Sequence, residues 1–367
     1  MFPPNSTLGI IGGGQLGRMS AIAAARLGFR THIFSNVSCA PASQVANETT
    51  VGSYDNPEAI DRFAKAVDVI TFEFENISAD GLDRLASLKP VHPSGEILRT
   101  SQDRIIEKSF LNQHGIPTTS WLPIYNINDA LRAGDTLSFP FLLKTTRLGY
   151  DGKGQAIVHN TDELNKIFNT LDPHPLIAEK IVNFNCEISV MVARNKLGQV
   201  TTFDVTENQH KNGILDLSFA PARIDIDLQK EAKTLAIHIA NSLKLIGILG
   251  IEMFIADNGQ ILINEIAPRP HNSGHWTLDA CPINQFEMHV RAVMGLPLPN
   301  AIRHSDAVMK NLIGPQGMRV WDSILSTQGL IGHLYGKKIA KSGRKMGHVT
   351  KLYPLHTLPG KYGSEYF

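Results

Sequence analysis

The sequence predicts an α/β fold at the amino end that passes into α+β architecture, and three observations carry this. A buried apolar strand near residue 10 runs into a glycine-rich turn and an alanine-rich helical segment. Short apolar runs separated by glycine-containing or polar turns recur between residues 141 and 205. Two apolar, partly β-branched runs flank Asn258-Gly259, a strong hairpin signal.

Residues 8–11 read as a strand, Gly12-Gly13-Gly14-Gln15-Leu16-Gly17-Arg18 as a turn into a helix through residue 27, and residues 31–35 as a second strand, a βαβ opening. Residues 66–72 repeat the buried-strand pattern, and Val91-His92-Pro93 ends another short strand. Helical spacing from 104 to 115 stops at Gly115-Ile116-Pro117. Strands are expected at 141–144, 156–159, 176–178, 187–192 and 200–205, then a helix at 229–243 that leads into the hairpin. After Pro299 come a strand at 309–314 and a basic, glycine-punctuated stretch at 332–347. The expected domains are 1–103, 104–300 in two lobes (about 104–183 and 184–300), and a small, shortened unit at 301–367. No internal repeat or low-complexity tract interrupts them.

The 367 residues are 43% hydrophobic, ordinary for a globular protein of two or three domains. A net charge of +1, from 35 basic and 34 acidic residues, supplies no global field for nucleic acid or an anionic membrane. Cys39, Cys186 and Cys281 are odd in number and widely spaced, which favours a reducing compartment and packing roles. With no signal-peptide pattern and no bilayer-length apolar run, the expectation is a cytoplasmic protein.

The hairpin brings two carboxylates together. A two-residue type I′ turn at Asn258-Gly259 pairs Asp257 with Gln260, and five steps further sets Glu252 opposite Glu265, with Phe254 and Ile263 as neighbours. Like charges facing each other across a ladder are destabilising, so a half-buried pair needs a cation. Oxygen-only ligands suit Mg²⁺. The competing reading is an edge hairpin with both glutamates in solvent. The polar loop that follows, Ala267-Pro268-Arg269-Pro270-His271-Asn272-Ser273-Gly274-His275-Trp276, favours a metal and an anion site side by side.

Gly12, Gly14 and Gly17 form a G-x-G-x-x-G in the strand-to-helix context of a phosphate-binding turn. A dinucleotide site also needs an acid at the end of the second strand, which here ends Phe34-Ser35-Asn36. A mononucleotide or sugar phosphate, or a tight turn without ligand, remains. Lys144 ends an apolar strand before a loop with Gly149, Gly152 and Gly154, fit to approach phosphates, though a flexible hairpin with solvated cations reads equally from the segment alone. Residues 176–182 and Glu187 offer a strand and hinge that could read adenine and ribose, against salt-bridged surface glutamates. His210 is expected on a polar loop. His210, His271, His275 and His348 are too scattered in sequence for a zinc spacing.

Taken in order, Arg104, Lys108, Lys144, the 149–155 loop, Glu179, Glu187, Glu252 and Glu265, with GGGQLGRM, GYDGKGQ, NSGHWT and GRKMGH, resemble the ATP-grasp enzymes. Within them the chain is similar, from residue 8 to 349, to the N5-carboxyaminoimidazole ribonucleotide synthetase family of purine biosynthesis. The resemblance implies an ATP-grasp fold: an N-terminal Rossmann-like pre-ATP-grasp domain, two α+β lobes closing on nucleotide, and a small C-terminal β domain. It implies a cytoplasmic homodimer that spends ATP to carboxylate 5-aminoimidazole ribonucleotide with bicarbonate, through carboxyphosphate. ATP would be bound by Arg104, Lys144, the loop Gly149, Tyr150, Asp151, Gly152, Lys153, Gly154 and Gln155, the adenine strand Glu179, Lys180, Ile181 and Val182, then Glu187, His210, Asn264 and Glu265. Glu252 and Glu265 would hold Mg²⁺, with Mn²⁺ as an alternative. Arg269 and His271 would hold bicarbonate and stabilise carboxyphosphate. Tyr150 and Asp151 would face the aminoimidazole, with Asp151 accepting its proton, Lys337 and Arg344 would take its 5′-phosphate, and Gln15 and Glu73 are further substrate candidates.

Two departures from the family pattern stand out. Ala267 replaces the asparagine that many ATP-grasp enzymes carry two residues after the second metal glutamate, and Asn264 by strict alternation points away from Glu265. The chain also ends soon after Gly347-His348, where related chains continue into a further helix. Rival readings are a phosphoribosylglycinamide formyltransferase of the same superfamily, an NAD-dependent oxidoreductase on Gly12–Gly17, and a nucleotide sensor without turnover.

Overall fold

The computed structural model describes residues 1–147, 149, 154–171 and 175–360. Its first unit is a parallel sheet in the order β3-β2-β1-β4, formed by β1 (Thr7–Ile11), β2 (Arg30–Ser35), β3 (Glu48–Val51) and β4 (Val69–Phe72). Helices α1 (Gln15–Arg26), α2 (Pro57–Lys65), α3 (Ala79–Leu88) and α4 (Gly95–Gln102) cover it. The strand expected at 66–72 starts only at Val69, because Asn56 caps α2 with Pro57 in its first turn and the helix runs on until Ala66 caps it. The segment before Pro93 is a single bridge, Val91 to Ile70.

Helix α5 (Arg104–Gln113), capped by Asp103 onto the amides of Ile105 and Ile106, leads into a four-stranded antiparallel sheet. Its order is β5-β8-β6-β7, from β5 (Trp121–Ile124), β6 (Phe141–Thr145), β7 (Gln155–Val158) and β8 (Leu176–Lys180). Helices α6 (Ile127–Leu137) and α7 (Thr161–Phe168) back it through Ala130, Ala133, Leu137 and Leu164.

The next strands are β9 (Phe184–Arg194), β10 (Val200–Thr202), β11 (Thr206–Lys211) and β12 (Ile214–Ala220). Helix α8 (Ile226–Ser242), β13 (Gly247–Ala256), β14 (Ile261–Ala267), α9 (Thr277–Ala280) and α10 (Gln285–Val293) follow. Then come β15 (Asp306–Ile313), α11 (Gly314–Arg319), α12 (Trp321–Ser326), β16 (Leu330–Leu334) and β17 (Lys345–Tyr353). Among the described residues these strands form one sheet, β14-β13-β9-β11-β12-β15-β17-β16, with β10 beside β9. The carboxy-terminal strands thus extend the second lobe's sheet, β15 pairing with β12.

His210 lies on a strand, β11, and not on the expected loop. Its run Thr-Glu-Asn-Gln-His-Lys lacks apolar alternation because the buried positions are filled by paired polar groups. Glu207 is hydrogen-bonded by Arg223, and Asn208 links Ser189 to Ser218.

Apolar residues of β9, β13 and β14 pack on Ala232, Ala236 and Ile239 of α8 to form the second-lobe core. Phe286 and Val290 of α10 pack into the core of the first unit beside Leu16 and Met19 of α1. That contact sets the glycine-rich end of β1 against the loop after β14.

Candidate active site

A cavity of about 630 Å³ opens where the two sheets and the first unit meet. Arg104, Lys144, Gly149, Gln155, Glu179, Glu187, His210, Glu252, Asn264, Glu265, Arg269, His271, Gln15 and Glu73 all line it. Tyr150, Asp151, Gly152 and Lys153 lie outside the described residues. Gly154 stands at the start of the loop's return strand, its carbonyl accepting from the Thr145 amide. Lys180 ends β8, Ile181 and Val182 follow it, and none of the three is part of the lining. Lys337 donates to the Lys345 carbonyl at 2.5 Å, and Arg344 is exposed with its guanidinium on the Ile339 carbonyl. Neither is part of the lining, whereas Lys345 is. A larger cavity, about 1050 Å³ beside α11 and α12, contains none of the expected site residues and only one carboxylate, Asp216.

The carboxylate pair forms as the sequence requires, by a different route. Glu252 is opposite Glu265, but Phe254 faces Leu262 and not Ile263. The turn is not type I′, which needs two consecutive positive-φ residues: only Gly259 has one, at +82°, and the Gly259 amide returns to Ala256. The loop is therefore one residue longer, and a bulge between Glu252 and Met253, with Asn264 as the extra residue, restores the register. The bulge also overturns the strict-alternation reading of Asn264, which shares the cavity with Glu265.

Electrostatics differ at the two ends of the cavity. Burial, and then repulsion from Glu265, pushes Glu252 up to about 7. Glu107, buried on α5, is pushed up to about 8 by the same two causes. The facing Glu252 and Glu265 carboxylates offer an all-oxygen donor set that fits Mg²⁺. Around Glu179 the balance reverses. Burial opposes ionisation of Glu179, but Lys108 and Lys144 outweigh it and hold its carboxyl below the usual range. Lys144 Nζ is 2.7 Å from Glu179 Oε2, and Lys108 Nζ 3.6 Å from Oε1. Among the described residues Arg104 Nε is buried without a hydrogen-bond partner, an open donor for an anion. His210 is hydrogen-bonded to Glu187 through Nδ1. Burial lowers its pKa, but Glu187 and then Glu252 overcome this and raise it.

Past β14, Arg269 Nε is 2.7 Å from Glu75 of the first unit. His271 Nδ1 bonds Ser273 Oγ at 2.9 Å and its Nε2 is 3.4 Å from Glu252. Burial, then Arg269 and Lys345, push His271 well below the usual histidine range, so its ring is neutral. The loop thus presents one fixed cation and one neutral imidazole.

The glycine-rich turn is filled from within. Glu73 accepts hydrogen bonds from the Gly14 amide and, at 2.7 Å, from the Gly17 amide. A Cβ on Gly14 would fall 2.6 Å from Glu73 Oε1, so the glycines serve this approach. A carboxylate takes the place expected for a mononucleotide or sugar phosphate.

His275 and His348, distant in sequence, come within 5.1 Å, ring to ring. Among the described residues Asp279, His333 and His348 bring ligand atoms within 4.8 Å. The His333 and His348 rings are stacked at 4.5 Å and 17°, so their in-plane lone pairs cannot converge on one ion. The group is an Asp279–His333 pair, 3.0 Å, resting on His348. Sequence reasoning also missed Glu107, Glu75 and Lys345. The alternation of α5 gave no sign that Glu107 is buried, and Glu75 becomes relevant only through the Arg269 contact.

These features belong to an ATP-dependent ligase class. Residues 109–286 match the ATP-grasp domain, 5–102 the ribonucleotide synthetase preATP-grasp domain, and 307–354 the phosphoribosylaminoimidazole carboxylase C-terminal domain. An N5-carboxyaminoimidazole ribonucleotide synthase from Brucella melitensis is 48% identical over 96% of this chain and 97% of its own. The Staphylococcus aureus N5-carboxyaminoimidazole synthetase complexed with ADP is 38% identical, TM-score 0.91, over 95% of this chain and 93% of that one. The Aspergillus clavatus synthase in complex with ADP and 5-aminoimidazole ribonucleotide is 32% identical, TM-score 0.89, over 95% and 94%. The chain belongs to the N5-carboxyaminoimidazole ribonucleotide synthase family. It is an ATP-using ligase with the expected ATP-grasp fold.

Proposed function

We propose that the protein carboxylates 5-aminoimidazole ribonucleotide with ATP and bicarbonate, giving N5-carboxyaminoimidazole ribonucleotide, ADP and phosphate in purine biosynthesis. The observation that carries this reading is one cavity shared by the Arg104 and Lys144 cations, the Glu252–Glu265 pair and the Arg269–His271 loop. The binding of ADP and 5-aminoimidazole ribonucleotide by the Aspergillus clavatus relative supports it.

Phosphoryl transfer asks mainly for positioning and cancellation of developing charge. Arg104, through its unpartnered Nε, and Lys144, by exchanging Glu179 for phosphate, receive the ATP phosphates. The adenine lies along residues 179–182, and Glu187, fixed by His210, takes the ribose. Glu252 and Glu265 hold Mg²⁺, or Mn²⁺. Such an ion, when bound, neutralises phosphate charge and orients the terminal phosphoryl group. A bicarbonate oxygen bonds to the γ-phosphorus as the bond to ADP breaks, forming carboxyphosphate. Arg269 and the neutral His271 ring hold bicarbonate, and Arg269 offsets the charge of carboxyphosphate. The amine nitrogen then bonds to the carboxyl carbon, phosphate departs, and Asp151 takes the amine proton. Lys337 and Arg344 bind the 5′-phosphate, while Gln15 and Glu73 line the substrate end.

No helix among the described residues is long and apolar enough to cross a membrane, in keeping with the proposed cytoplasmic location. A homodimer is the proposed assembly, checked by light scattering on the eluted protein. The function is tested by ADP release with 5-aminoimidazole ribonucleotide and bicarbonate against glycinamide ribonucleotide and formate. Activity with the second pair alone would replace this reading by the formyltransferase.

A further inference from the structure

Helix α5 offers two consecutive buried charged side chains to the strand that carries Glu265. Lys108 Nζ donates to the Asn264 carbonyl at 3.3 Å, and the Ile266 amide donates to Glu107 Oε2 at 3.4 Å. Glu107 is 3% exposed and Lys108 1%. The two bonds straddle Glu265. They fall on the stretch where the β13–β14 register slips, with Glu252 facing Glu265 but Met253 facing Ile263.

An extra residue in one strand breaks the ladder locally, and such bulges next to active sites re-aim a side chain. Without this one, alternation would send Asn264 and Glu265 to opposite faces. With it, both line the cavity. The ladder bonds forfeited at a bulge leave backbone groups to be satisfied by other partners. Here the partners are a carboxyl and an ammonium group, whose burial is costly without such pairing.

We infer that Glu107 and Lys108 are positioning residues that clamp the Asn264–Ile266 bulge and so fix where the Glu265 carboxylate stands opposite Glu252. The assignment rests on the proposed Mg²⁺ role of that pair. Reach, not charge, is what Glu107 contributes. Lys108 joins the clamp to the nucleotide side, since the same ammonium faces Glu179.

Two conservative variants separate reach from charge. Glu107→Gln keeps an oxygen at the same distance for the Ile266 amide, whereas Glu107→Asp keeps the acid but withdraws it by one methylene. In the full-length protein, with ADP release followed against free Mg²⁺ at saturating ATP, Glu107→Asp should raise half-saturating Mg²⁺ by about tenfold, as for loss of an outer-shell partner. Glu107→Gln should remain within about twofold of wild type, and KM for 5-aminoimidazole ribonucleotide should be unchanged in both. The reverse order, or equal Mg²⁺ dependence in wild type and Glu107→Asp, overturns the clamp. Glu265→Gln is run alongside: wild-type Mg²⁺ dependence there would refute the metal reading itself, whatever the Glu107 variants do.

Discussion

Burial, and then Glu265 opposite it, resist the ionisation of Glu252, and this has a measurable consequence. Its raised pKa means that the folded, metal-free protein binds a proton more tightly than the unfolded chain does. The associated stability is full below the unfolded value of 4.5 and is lost as pH rises through about 7. If Mg²⁺ binds this pair, as proposed, it competes with that proton. Half-saturating Mg²⁺ for ADP release should therefore fall as pH rises from 6 to 8, and the rise in Tm on adding Mg²⁺ should be larger at pH 8 than at pH 6. Equal Tm shifts at both would place the ion elsewhere. Arg344 shows a different limit. Exposed on the turn entering β17, it is open to a phosphate from solvent, and a guanidinium can hold one through two charge-assisted bonds. Arg344→Ala should raise KM for 5-aminoimidazole ribonucleotide by about tenfold, the equivalent of one such bond, with KM for ATP within about twofold. Equal losses of both would remove Arg344 from the substrate site.

Secondary-structure elements were readable from sequence where one face is apolar and unreadable where polar groups are buried in pairs. The hairpin pairing followed from counting, yet two opposite offsets made the count succeed, a longer turn at Gly259 and a bulge at Asn264. Alternation cannot reveal a bulge, because the signal lies in partners on α5. β11 was invisible for a related reason: Glu207 and Asn208 take core positions only because Arg223, Ser189 and Ser218 satisfy them. The glycine-rich turn was visible as geometry, but its anion was not, since Glu73 follows β4, some sixty residues away. Removing that anion leaves two amides without their acceptor. Glu73→Ala should destabilise the fold by about 1–3 kcal/mol, read as a lower urea midpoint with unchanged slope, and should weaken 5-aminoimidazole ribonucleotide more than ATP. Unaltered stability would mean that water replaces the carboxylate without cost.

The assembled molecule gathers its charged groups along one cavity, and the proposed reaction divides them between two chemical steps. Arg269 stands between Glu75 of the first unit and the carboxylates of the hairpin, so it is built by the packing of α10 on α1 as much as by its own loop. If its guanidinium stabilises carboxyphosphate, Arg269→Ala removes charge stabilisation from the first step, and ADP release and product formation should fall together by about 10² to 10³. His271→Ala should act on the same step. Asp151, proposed as the acceptor of the amine proton, acts after carboxyphosphate has formed. Asp151→Asn should therefore go on consuming ATP while carboxylated product falls by about 10² to 10⁴, a general-base loss that leaves hydrolysis uncoupled from synthesis. Product and ADP measured in the same reaction separate the cases. An ADP-to-product ratio near one in Asp151→Asn, with a high ratio in Arg269→Ala, would exchange the two assignments: the loop after β14 would then guard the intermediate, and Asp151 would act in its formation.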